Sequence, residues 1–151
     1  MIKEINIIVD ASGSMMEDDK NAVVKYLLNG ICNVKKSQDF LGVEFVLYQW
    51  GEKSIKHESI EKAKVEFAGK ALLDGLKMIA GSIVDTVPLI LVSDGGFSSD
   101  AKTYLKKMSK RIIPIFVGND ADRAMLQAVS TDNVVYSIAD FMQALSEAKN
   151  N

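Results

Sequence analysis

The sequence has few of the residues that disulfides, metal clusters and membrane spans require. Cys32 is the only cysteine and His57 the only histidine among 151 residues. These counts exclude an intramolecular disulfide and any metal site or proton relay that needs two histidines. No apolar run approaches the roughly 18 residues that would span a bilayer, and Asp10 interrupts the N-terminal apolar run too early for a signal peptide. We therefore expect a cytoplasmic protein without a membrane anchor.

An excess of positive charge is also missing. The chain carries 18 Lys and Arg against 20 Asp and Glu, a net charge of −2. A general nucleic-acid binder usually has a basic face, so this balance argues against that class of function. Hydrophobic residues make up 48% and charged residues 25%, which are ordinary globular values. The length fits a single domain spanning residues 1–151.

Apolar segments alternate with amphipathic ones along the chain. The run at 5–9 is nearly continuous and β-branched, which is typical of a buried parallel strand. The segment 18–33 has apolar residues at helical spacing, and so does 69–80. We predict a doubly wound α/β fold with helices on both faces of a mostly parallel six-stranded sheet, one edge strand being antiparallel. The predicted strands are 5–9, 41–48, 54–60, 88–93, 112–117 and 133–136.

A loop of small oxygen-bearing side chains follows the first strand. Asp10 ends the strand, and Ser12 and Ser14 come two and four residues later, with Gly13 between them. A tight turn at Gly13 would let all three side chains point their oxygens at one spot, as hard divalent cations require. In the simpler interpretation, Asp10 or Ser14 caps the next helix.

A second acidic side chain, Asp94, follows the predicted strand at 88–93. In open α/β sheets, ligands bind at the carboxyl ends of the strands, where the strand order reverses. If the strands ending near Asp10 and Asp94 are neighbours there, both carboxylates meet over one crevice. Two acids and two hydroxyls in one crevice are more than helix capping explains.

These motifs resemble the von Willebrand factor type A (vWA) domain over essentially the whole chain. The resemblance rests on Asp10-Ala11-Ser12-Gly13-Ser14-Met15, on Leu91-Val92-Ser93-Asp94-Gly95 and on the order of the elements. It implies a metal-ion-dependent adhesion site in which Ser12 and Ser14 ligate Mg²⁺ directly, while Asp10 and Asp94 act largely through water. An Asp or Glu of a partner protein would complete the shell. The chain is similar to small stand-alone bacterial members, some of them associated with tellurite resistance.

One position departs from the family pattern. The resemblance implies a threonine ligand where Ala68-Gly69-Lys70-Ala71-Leu72 has Lys70. A charged ammonium has no acceptor and cannot ligate a cation. Lys70 would either neutralise Asp10 and Asp94 as an internal cation, or turn outward while Mg²⁺ binds through the remaining ligands and water. The site is therefore expected to be degenerate.

The same loops supply a rim for partner binding. Met16, Gly95 and Phe97 are predicted to surround the polar centre, with Met16 and Phe97 exposed. Exposed methionine and aromatic side chains beside a polar centre are typical of protein interfaces. The sequence therefore favours a non-enzymatic protein-interaction module that binds neither nucleic acid nor a membrane.

An alternative function is phosphoryl transfer of the haloacid-dehalogenase kind. Asp10 would be the nucleophile, Lys70 its charge partner and Asp94 a metal ligand. That superfamily's phosphatases place a second aspartate as general acid where this chain has Ser12. The comparison favours the interaction module.

Overall fold

The computed structural model describes residues 3–84, 86–108 and 111–150. Within these ranges the strands are β1 (Lys3–Asp10), β2 (Val43–Trp50), β3 (Ser54–Lys56), β4 (Leu89–Ser93) and β5 (Ile112–Phe116). They form a five-stranded sheet in the order β3-β2-β1-β4-β5. All neighbouring strands are parallel except β3, which pairs antiparallel with β2 as an edge hairpin.

Helices cover both faces of the sheet, as predicted. They are α1 (Lys20–Lys35), α2 (Leu73–Ser82), α3 (Ser99–Lys107), α4 (Arg123–Val129) and α5 (Phe141–Lys149). The apolar sides of α1 and α5 share one core cluster with Ile5, Ile7 and Val9 of β1. The apolar sides of α2, α3 and α4 share the other cluster with Ile8. The alternation along β1 therefore divides the core between two faces. Among the described helices, none has the length and apolarity that a bilayer span needs.

The prediction of a sixth strand at 133–136 is wrong. A single parallel bridge joins Tyr136 to Ile115, with Tyr136 N–H donating to the Pro114 carbonyl at 2.9 Å. Asn133, the first residue of the predicted strand, has a left-handed backbone (φ +60°), so the extended stretch is shortened at its start. Pro114 has no N–H to donate at this edge. The segment therefore contributes one bridge and no strand.

Asn6 is a buried polar residue within β1, between Val46 of β2 and Leu89 of β4. Its side chain is fully buried, and neither amide atom has a hydrogen-bond partner among the described residues. An unsatisfied buried polar group costs about 1–3 kcal/mol.

Asn6→Leu, which keeps the branched shape, is expected to raise the free energy of unfolding by about 1–3 kcal/mol. Thermal and urea unfolding measure the change. Asn6→Asp is the control: it adds a buried charge and should destabilise the protein. A loss of stability in Asn6→Leu would show that the amide is satisfied after all.

Candidate functional site

The first and fourth strands end side by side where the strand order reverses. The chain leaves β1 towards β2 on one side, and β4 pairs with β1 on the other. Asp10 is the last residue of β1, and Asp94 directly follows β4. The expectation that these two strands are neighbours is confirmed. Both carboxylates therefore lie in one crevice at the carboxyl ends of β1 and β4.

Asp10 lies at the bottom of this crevice, where hydrogen bonds fix its side chain. Its side chain is completely buried. Oδ1 accepts a hydrogen bond from the Ser12 backbone N–H at 3.0 Å, and Oδ2 accepts one from the Ser93 hydroxyl at 2.7 Å. Ser93 Oγ in turn accepts from the Gly95 N–H at 2.9 Å. Burial raises the pKa of Asp10, and the hydrogen bonds from Ser93 and Ser12 oppose that rise in part.

Ser12 and Ser14 lie nearer the surface of the crevice than Asp10 and are half-buried. Their hydroxyl oxygens lie 3.1 Å apart and share a hydrogen bond. A Cβ placed on Gly96 would lie 3.7 Å from the Ser14 hydroxyl and 3.0 Å from Asp94 Oδ1, so both groups border the same small space. No side-chain capping bond is made at the start of α1 or of the short 3-10 helix before it. The simpler interpretation of Asp10 and Ser14 as helix caps is therefore not supported.

Lys70 does not reach the carboxylates. The Ala68 N–H donates to the Ala11 carbonyl, and the Gly13 N–H donates to the Gly69 carbonyl, each at 2.9 Å. These bonds dock the loop beside the serines, but the Lys70 side chain is exposed and pairs with no acid in the described part of the chain. The hypothesis that Lys70 is the internal cation is wrong: the ammonium stays hydrated, and another lysine compensates Asp94.

That lysine is Lys20, the first residue of α1. It is 1% exposed. Its Nζ lies 3.1 Å from Asp94 Oδ2 and 2.9 Å from Oδ1 of Asp120, an exposed residue after β5. Burial acts to lower the pKa of Lys20, but bonding to Asp120 and Asp94 outweighs it and the pKa is raised. Lys20 also lowers the pKa of Asp120, chiefly through their hydrogen bond. The ammonium therefore stays charged.

Two parts of the backbone position the Lys20 side chain: the turn directly before it and the distant Gly118. Asp18 and Asp19 adopt consecutive left-handed conformations (φ +51° and +62°), which turn the chain so that Lys20 enters α1 pointing inward. Gly118 (φ +91°) lies beneath the lysine stem, where a Cβ would come within 2.6 Å of Lys20 Cε. Left-handed non-glycine residues carry strain, and such strain concentrates at functional sites.

The predicted rim is only partly present. Met16 is 51% exposed, as expected. Phe97 is 6% exposed because its ring packs edge-on against Trp50, with the centroids 5.5 Å apart. Gly95 is also buried, beneath the Asp122 carbonyl. The assignment of Phe97 and Gly95 to an exposed rim is wrong, because both serve the packing under the loop.

Solved structures of other proteins share this fold. An aerotolerance-related membrane protein from Bacteroides fragilis superposes with a TM-score of 0.72 at 14% identity, covering 98% of each chain. The ArnB paralog VWA2 from Sulfolobus acidocaldarius superposes with a TM-score of 0.64 at 16% identity, over 92% of this chain and 42% of that one. The chain has the vWA fold. No protein-family model and no curated protein matches the sequence.

A third vWA-like structure holds a metal. Proximal thread matrix protein 1 from the mussel byssus, with zinc in its MIDAS (metal-ion-dependent adhesion site) motif, superposes with a TM-score of 0.64 at 17% identity. It matches 97% of this chain, which spans 44% of that longer protein. The two longer neighbours thus carry this vWA fold within a larger chain.

The residues of this vWA crevice do not fit a full metal site. The threonine position holds Lys70, which cannot ligate a cation while charged, and Asp94 is already paired with Lys20. Among the described residues, no cluster of three or more His, Cys, Asp or Glu side chains is arranged to hold a metal. The Ser12 and Ser14 hydroxyls lie together and are paired with no charged group among the described residues.

Sequence reasoning missed Lys20, Asp120 and the bridging role of Ser93. A signal for Lys20 was present. It lies four residues before Val24 on the stripe of α1 that turns towards the sheet, with Leu27, Leu28 and Ile31. A lysine on an apolar stripe needs an acidic partner inside the protein. No comparable pattern marks Asp120, which approaches Lys20 from 100 positions along the chain.

Proposed function

We propose that this chain is a non-catalytic protein-interaction module that docks a partner at the carboxyl ends of β1 and β4. The observation that carries the proposal is the half-buried Ser12–Ser14 hydroxyl pair beside Asp94, which the exposed Met16 follows two residues later in the chain. Hydroxyl groups above the buried acids and an exposed apolar side chain on the same loop suit recognition of a mixed polar and apolar surface.

The burial of Asp10 and the exposure of Lys70 support binding over phosphoryl transfer. A nucleophilic aspartate needs an accessible oxygen, but Asp10 is fully buried with both oxygens hydrogen-bonded. The charge partner that a phosphatase would require, Lys70, is exposed and apart from it. No observation favours catalysis, and the proposed role requires none.

The charges on the two flanks of the crevice suggest how a partner approaches. Lys70 presents an exposed ammonium on the β2 flank, while the exposed Asp120 and Asp122 lie on the β5 flank. We expect an Asp or Glu of the partner to bind on the Lys70 side, where the serine hydroxyls and the ammonium both donate.

Met16→Asp tests this surface. A charge at the rim is expected to reduce partner capture at least tenfold and to leave the melting temperature within about 2 °C, since an exposed substitution costs little stability. Met78→Asp is the matched control, because Met78 is 57% exposed on α2. Tagged variants are compared by quantitative mass spectrometry of proteins co-purified from native cells.

Loss of the same partner in both variants, or retention in both, would contradict the proposed surface. Phe97→Asp is unsuitable here, because Phe97 packs on Trp50 and its replacement would test folding.

A further inference from the structure

We infer that the Lys20 ammonium takes the electrostatic place of the metal ion in this vWA crevice, so that the site is charge-compensated without a bound cation. The claim about Lys20 stands on its contacts. Its consequence, metal-independent docking, rests on the proposed function.

Asp94 is a buried acid that requires a positive charge beside it. Two acids meet the Lys20 Nζ, Asp94 at 3.1 Å and Asp120 at 2.9 Å. A buried carboxylate without a partner is costly, so Asp94 needs a positive charge in every functional state. In a metal-loaded crevice the ion would supply it, and here the chain does.

A cation in the crevice would compete with Lys20 for the Asp94 carboxylate. Asp94 Oδ2 binds Lys20, whereas Oδ1 accepts from the Gly96 N–H and faces the space next to Ser14. A divalent cation in that space would share Asp94 with an ammonium and be repelled by it. Among the described residues, the other side-chain oxygens near this space are the two neutral hydroxyls of Ser12 and Ser14, and neutral hydroxyls hold hard cations weakly without carboxylates.

The inward position of Lys20 is built into the backbone. Gly118 leaves room for the lysine stem, since a Cβ there would lie 2.6 Å from Lys20 Cε. The left-handed turn at Asp18 and Asp19 directs Lys20 inward. A chance surface ion pair would need neither feature.

The experiment compares thermal melts in EDTA with melts in millimolar Mg²⁺ or Mn²⁺. The variants are wild type, Lys20→Met and Lys25→Met, the last removing an exposed lysine of the same helix. Wild type and Lys25→Met are expected to melt within about 1 °C of the same temperature with and without metal. Lys20→Met should melt lower in EDTA and regain about 5–10 °C once metal reaches roughly 100 times its dissociation constant.

Lys20→Gln keeps a hydrogen bond to Asp94 without the charge and replaces Lys20→Met if that variant does not fold in EDTA. A metal-dependent rise in the wild type would overturn the inference, because the ion would then bind alongside Lys20. Folded Lys20 variants without any metal response would overturn it too, because the crevice would then be no cation site.

Partner capture in EDTA separates this inference from the proposed function. Capture by the wild type should be unchanged by EDTA. If the melts behave as expected but Met16→Asp still captures the partner, the proposed docking surface fails and the role of Lys20 stands. If the wild-type melts respond to metal, the role of Lys20 fails and the docking surface stands.

Discussion

Lys20→Met is expected to lower the free energy of unfolding by about 3–5 kcal/mol, because it leaves the buried Asp94 carboxylate without its positive partner. Asp94→Asn should cost a similar amount, since it leaves a buried ammonium with only the exposed Asp120. The double variant should lose clearly less than the sum, because a neutral pair replaces the charged one. Chemical denaturation of all four proteins measures the coupling.

The Lys35–Glu61 pair provides the control on the same helix. Its atoms lie 2.8 Å apart, but both side chains are about one-third or more exposed. Exposed pairs contribute about 0–1 kcal/mol, so the cycle of Lys35→Met and Glu61→Gln should show little coupling. Equal coupling in the two cycles would mean that burial does not strengthen the Lys20–Asp94 pair.

The pH dependence of this contribution follows from the pKa of Lys20. The pKa in the folded protein is raised above its ordinary value of 10.5. The stabilisation is therefore fully present below pH 10.5 and is lost only as the pH rises through the raised value. The deficit of Lys20→Met should accordingly be the same at pH 7 and pH 9.

Gly95→Ala is expected to cost about 3 kcal/mol and to disturb the loop that carries Asp94. Gly95 has φ +79°, and a Cβ there would come within 2.5 Å of the Asp122 carbonyl oxygen. The left-handed backbone alone costs about 1–2 kcal/mol. Forcing the two loops apart adds roughly 1–3 kcal/mol, because the obstructing atom is backbone and cannot rotate away.

Gly42→Ala separates these two contributions. Gly42 also has a left-handed backbone (φ +77°), but a Cβ there would meet nothing within 4 Å. We expect this variant to lose only the conformational part, about 1–2 kcal/mol. Urea unfolding compares the two variants, and an equal loss would show that the contact with Asp122 is not limiting.

The sequence indicated the site's floor because strand ends are encoded locally. An apolar run that stops at Asp10 and another that stops before Asp94 were sufficient to place both acids at one edge, once the strands proved to be neighbours. Phe97 was misplaced because one aromatic residue in a loop has no periodicity to show whether it faces solvent or Trp50.

The choice between two lysines needed three-dimensional information. Lys70 occupies the family's ligand position in sequence, yet Lys20 makes the ion pair. The direction of Lys20 depends on two left-handed aspartates, and its space depends on a glycine almost a hundred residues later. No local sequence pattern indicates the left-handed turn before Lys20 or the space that Gly118 leaves for its side chain.

The position of Lys20 also has a consequence for local unfolding. One side chain joins the first turn of α1 to the loop after β4 and to the loop after β5. Opening any one of these segments must release the ammonium from at least one of its two carboxylates. The three segments, which are far apart in the chain, should therefore open together as one cooperative unit rather than fray separately. The end of a helix, ordinarily its least stable turn, becomes part of the slow-exchanging body of the molecule.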